Sequence, residues 1–232
     1  MNNLSRLLQK IKDNPVMYID KPSITHLDLF VSGWYLSQIN HFGLNPEGYP
    51  MEGFDEWMQE RVKTTVSRSW TEIILFLCLT ERNAFYSFFK EFEQFLKHKN
   101  DSKSQESKVK TSPTEDNSKF RQFDVYNEIL KGIKKRPGMY LGTSSITRLD
   151  MLLRGYSLSR REVGVPPTEP EREFEGFQLW VQEKYGIKTG QSWSKIIIFY
   201  SIDEHEALER FFELYEEYQN RNNRSEVDEK SG

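Results

Sequence analysis

Apolar residues fall at helical spacing along most of the chain. Leu27, Phe30, Val31 and Trp34 stand at i, i+3, i+4 and i+7, and Leu149, Leu152, Leu153 and Tyr156 reproduce that spacing. Phe54, Trp57, Met58 and Val62 form a second stripe, matched by Phe177, Trp180, Val181 and Tyr185. Phe85, Phe88, Phe89 and Phe92 form a third, matched by Leu208, Phe211, Phe212 and Tyr215. Shorter helices are expected from Leu4 to about Lys12 and from Val125 to about Lys135, each ended by the proline at 15 or 137. Only 194–202 is ambiguous, because the run Ile196–Tyr200 reads equally as helix or as buried strand.

Start signals support the helical reading. Thr25 with Asp28, and Thr147 with Asp150, have the spacing of a capping box, with Ile24 and Ile146 placed as hydrophobic staples. Ser69 with Glu72 favours a helix over a strand, although Lys195 stands at the matching place after Ser192. Asp203 with Glu206 opens the last helix.

The paired stripes belong to a long internal repeat. Ser23-Ile24-Thr25-His26-Leu27-Asp28 recurs as Ser145-Ile146-Thr147-Arg148-Leu149-Asp150, and Ser69-Trp70…Ile73-Ile74 as Ser192-Trp193…Ile196-Ile197. A period above a hundred residues means tandem domains, not a solenoid. The expected fold is therefore all-α, two tandem homologous helical bundles of about five helices each. They occupy 2–98 and 124–219, joined by a flexible polar linker at 99–123 and followed by a disordered tail at 220–232.

Composition adjusts this picture little. Aromatic residues make up 14% of the chain, enough to give two small domains large buried areas. The lone Cys78 excludes an intrachain disulfide and a multi-cysteine metal site, and its apolar surroundings predict a buried thiol. No apolar run approaches the roughly 20 residues of a membrane span, and no signal core follows Met1, so a cytoplasmic protein without membrane contact is expected. The net charge of −3 gives no overall footprint for nucleic acid.

Duplicated catalysis would repeat its catalytic groups. His26 aligns with Arg148 and His205 with Arg82, and no zinc-ligand or phosphate-loop spacing occurs. Neither enzymatic activity nor a cofactor or metal is expected. Ser69, Ser192, Asp28 and Asp150 read as caps, and Trp70 and Trp193 as core plugs. Tyr18 and Tyr140 follow a proline in a turn, where a ring can be buried with its hydroxyl outside. With Arg136 they are candidate partner-binding residues. The acidic loop Glu169–Glu175 adds Glu171, Glu173 and Glu175, whose charge density suits a basic partner. Arg148, Arg154, Arg160 and Arg161 lie along one helix of the second copy and offer an alternative, a nucleic-acid-binding face. An enzyme with one degenerate copy is a further alternative.

The segment Lys135-Arg136-Pro137-Gly138-Met139-Tyr140-Leu141-Gly142 resembles one near the start of the ATPase domain of type II topoisomerase B subunits. The Glu/Asn helix motif and the Asp-x-Gly-x-Gly loop of that ATP site are missing, so the likeness implies only a shared helix stop and turn. Each half as a whole is similar to small, uncharacterised bacterial helical proteins with an Arg-Pro-Gly-Met-Tyr turn, a Ser-Trp helix start and a terminal Phe-Phe helix. They are associated with polymorphic-toxin loci. That resemblance implies an immunity protein, a non-enzymatic module that binds and blocks another protein, a toxin or a host factor.

Overall fold

The computed structural model describes residues 3–42, 50–105 and 124–221. Every regular element among them is helical: α1 Asn3–Asp13, α2 Pro15–Ile19, α3 Ile24–Phe42, α4 Phe54–Val62, α5 Trp70–Leu77 and α6 Glu81–Gln105. A π-helical turn, Val125–Ile129, runs into α7 Leu130–Lys135. It is followed by α8 Pro137–Leu141, α9 Ile146–Glu162, α10 Glu169–Lys184, α11 Trp193–Phe199 and α12 Glu204–Gln219. The chain divides into two compact units, the first built on α1–α6 and the second on α7–α12.

Among the described residues each unit has six α-helices where about five were expected, and the difference follows from the two prolines. Pro15 and Pro137 do end the preceding helix, since Asn14 and Arg136 leave helical geometry at φ −143° and −144°. Each proline then serves as the first residue of a new five-residue helix, where its fixed φ suits it and its missing N–H costs nothing. Both short helices stop at a residue with positive φ, Asp20 at 63° and Gly142 at 74°. Only glycine adopts that geometry freely, so unit 2 has the unstrained version of the same turn.

One phenylalanine organises each core. Phe54 is fully buried, with the rings of Trp57, Trp70, Phe88, Phe92 and Phe95 at 5.2–5.9 Å. Phe177 is equally buried among Trp180, Trp193, Phe211, Tyr215 and Tyr218 at 5.5–6.1 Å. All six pairs are 123 residues apart. Trp70 and Trp193 are core plugs, as expected.

Several expected start signals are corrected. Ser23 and Ser145, not Thr25 and Thr147, receive the first N–H bonds, from His26 at 3.3 Å and Arg148 at 3.2 Å. The threonines instead bind a carboxylate across the fold. Ser23 Oγ and Thr25 N donate to Glu81, and Ser145 Oγ, Thr147 N and Thr147 Oγ1 donate to Glu204 at 2.6–3.0 Å. Asp150 is no cap but a buried acceptor for Ser194 Oγ at 2.5 Å.

The ambiguous segment at 194–202 is helical through Phe199. Ser192 accepts from Lys195 N, so the missing glutamate weakens the cap without abolishing it. Ser69 and Glu72 form the expected reciprocal box, and Asp203 accepts from Glu206 N. Residues 169–175 are the first two turns of α10 and not a loop. Thr168 and Glu171 open that helix with a capping box, and Pro170 fits its first turn. Helix α6 extends to Gln105, into the stretch read as linker; 106–123 and 222–232 lie outside the described residues. Cys78 is half-buried at the end of α5.

Candidate interaction surface

The short helices α2 and α8 carry the residues singled out by the repeated motif. The buried faces of these helices hold Ile19 and Leu141. Their other faces point outward and are apolar: Met17 is 76% exposed and Met139 72%, with Val16 beside the first. Arg136 is exposed at the start of α8. Tyr140 keeps an exposed edge while its hydroxyl lies against Gly132 of α7, where a Cβ would clash with it. Tyr18 is half-buried, its ring edge-on to Phe30 at 6.5 Å. Arg136, Met139 and Tyr140 thus share one tip of unit 2, and Val16, Met17 and Tyr18 the corresponding tip of unit 1.

Each tip is tied down by the following long helix. In unit 1 the Nδ1–H of His26 donates to the Ile19 carbonyl at 2.8 Å. In unit 2 Arg148 Nη1 donates to the Leu141 carbonyl at 2.6 Å. Burial lowers the His26 imidazole below its ordinary value, against the opposing pull of the Ile19 carbonyl.

The acidic candidates are not brought together. Glu171 is buried, its carboxylate held by Arg160 Nε at 2.8 Å and by Thr168 N at 2.7 Å. Glu173 is half-exposed and faces Arg221 at 3.6 Å, while its carbonyl accepts from Tyr218 Oη at 2.8 Å. Glu175 is exposed. The sequence run therefore does not make an acidic patch, because helical geometry turns consecutive glutamates in different directions.

The basic stripe of α9 is likewise dispersed. Arg148 holds Leu141, Arg160 is buried against Glu171 and also donates to the Pro166 carbonyl at 2.9 Å, and Arg154 is half-buried. Arg161 remains exposed. Among the described residues, no group of three or more His, Cys, Asp or Glu could hold a metal ion. No described helix is long and apolar enough to cross a membrane.

A second apolar surface lies at the end of α5. Helix α5 buries Trp70, Ile73 and Ile74 but leaves Phe76 88% exposed, with Leu77 beside it and Leu79, in the turn to α6, at 97%. At the corresponding corner of unit 2, Phe199 is 77% and Ile202 92% exposed, with Tyr200 between them. The signal was present in the unbroken run Ile73–Leu79: one helix face cannot bury seven consecutive apolar residues, so those out of phase must face water. Comparison of the chain with protein-family profiles, with characterised proteins and with solved structures returned no match.

Proposed function

We propose that the chain is a non-enzymatic protein-binding module made of two homologous helical units in tandem, and that it is an immunity protein that binds and blocks a toxin. The observation supporting this reading is the pair of exposed methionines, Met17 and Met139, at corresponding places on α2 and α8. An unbranched thioether suits a recognition surface because it adapts to its partner, and Met, Tyr and Arg are enriched at interface cores. In unit 2 all three occur within five residues, as Arg136, Met139 and Tyr140. Two such tips on one chain raise the effective concentration of the second contact once the first has formed.

The test is complex formation with the product of the neighbouring gene. Co-expressed proteins should co-elute on size exclusion, and Met17→Asp with Met139→Asp should separate them while both remain folded. Absence of a complex, or one indifferent to both substitutions, would overturn the reading.

A further inference from the structure

We propose that Met17 and Met139 are sites of reversible oxidation to methionine sulfoxide, and that this modification turns off recognition by the tips of α2 and α8. The first half stands on the exposure of the two sulfurs; the second rests on the reading of those tips as the binding surface. Peroxide must reach a sulfur lone pair, so solvent access decides which thioethers react. Met17 is 76% exposed and Met139 72%, whereas Met51, Met58 and Met151 are 6% exposed or less. Among the described methionines, oxidation of the folded chain is therefore directed to the two tips.

Hydrogen peroxide supplies the oxygen and takes up the electrons. The thioether sulfur attacks one peroxide oxygen, the O–O bond breaks and hydroxide leaves. The sulfur-bound hydroxyl then gives up its proton, so that sulfoxide and water are the products. Reversal by a sulfoxide reductase consumes two thiols, which end as a disulfide while the oxygen leaves as water.

Position gives the modification its effect. Helix α8 buries Leu141, and Gly138 is exposed without a side chain, so Met139 and the edge of Tyr140 are the large apolar groups this tip presents. In unit 1 Met17 shares that role with Val16, which is 65% exposed. A sulfoxide replaces an adaptable apolar group by a polar one, and covering it with a partner that offers no donor is costly. Neither sulfur belongs to a core, so oxidation leaves the aromatic hubs and the fold intact.

The test has one arm without any partner. The purified chain is treated with dilute hydrogen peroxide, quenched with catalase and mapped by peptide mass spectrometry. Met17 and Met139 should convert while Met51, Met58 and Met151 stay reduced, with an unchanged circular dichroism spectrum and urea midpoint. A sulfoxide reductase with dithiothreitol should restore both. Uniform conversion of all five, or oxidation that unfolds the chain, would overturn the proposal. In the second arm the oxidised chain is mixed with untreated neighbouring gene product. Its dissociation constant should rise by about tenfold or more, as for the loss of a central interface side chain, and return after reduction. Met17→Leu with Met139→Leu, whatever its own affinity, should bind equally before and after peroxide. That variant keeps Cys78, so a remaining response would assign the effect to the thiol and overturn the switch, as would an oxidised chain that binds like the untreated one. Absence of any complex with the untreated chain overturns the recognition reading and the switch together, while the oxidation map still decides the modification sites.

Discussion

Thr147 donates twice to Glu204, from its backbone N–H at 3.0 Å and its hydroxyl at 2.6 Å. The carboxylate thereby caps α9 from the first turn of α12, and Glu81 does the same for α3 in unit 1. Removing it strands part-buried donors. Glu204→Ala should destabilise unit 2 by about 1–3 kcal/mol, and Glu204→Gln, which keeps one acceptor oxygen, by less. Urea unfolding distinguishes the two; equal losses would count against the hydrogen-bonding account.

Burial pushes the Glu81 carboxyl up, but bonds from Thr25 and Ser23 outweigh it and hold the group below the ordinary carboxylate range. His26 is lowered too, and it governs a milder range of pH. A folded state that binds the imidazole proton less readily than the unfolded chain has its full stability above the ordinary value of about 6.5 and loses it as pH falls. The melting temperature of unit 1 should therefore drop between pH 7.5 and 5, and His26→Gln should flatten that slope. Parallel profiles for the two proteins would sink the assignment.

The Arg160–Glu171 pair is almost wholly enclosed, with side-chain exposures of 6% and 10%. Breaking such a pair from one side leaves a buried charge and costs roughly 3–5 kcal/mol. Glu171→Met should lose that much in denaturant melts, whereas Arg160→Met combined with Glu171→Met should recover most of it. A double variant no better than the worse single one would refute the charge argument.

Asp55 and Gln178 perform one task with different charge. Asp55 Oδ1 accepts from Trp70 N and Gln178 Oε1 from Trp193 N, each at 2.6 Å. Burial raises the Asp55 carboxyl above its ordinary value, against the lowering effect of the Trp70 bond. Its contribution to stability is full at low pH and is lost as pH rises through the folded value. Asp55→Asn keeps the acceptor without the charge, so it should melt higher than the native chain at pH 7. The advantage should vanish in acid; a variant that melts lower at pH 7 would contradict this.

The stripes of the long helices were legible because each is a 3.6-residue pattern with one buried face. Contacts between segments distant in sequence were not. Nothing near Thr25 shows that Glu81 will reach it, and nothing in Glu169–Glu175 shows that only one of its glutamates will find Arg160. Gly53 and Gly176 illustrate the limit. They align in the sequence, yet Gly53 precedes its helix at φ 82° while Gly176 lies inside one, against the hydroxyl of Tyr218. The two units hold glycine at matching positions for different physical reasons. Of the partner-binding candidates, Arg136 and Tyr140 proved outward because a proline starts a short helix there. Phe76 and Leu79 face water because seven consecutive apolar residues exceed what one buried helix face can hold.

The aromatic hubs also give each unit its own optical signature. Phe54 lies 5.9 and 5.8 Å from the rings of Trp57 and Trp70, and Phe177 lies 5.9 and 6.1 Å from those of Trp180 and Trp193. Emission from indoles so enclosed shifts to the red when the rings meet water. A chain carrying Trp34→Phe, Trp57→Phe and Trp70→Phe would report only the melting of unit 2, and one carrying Trp180→Phe and Trp193→Phe only that of unit 1. Intrinsic fluorescence can thus follow the two halves separately, with no attached dye.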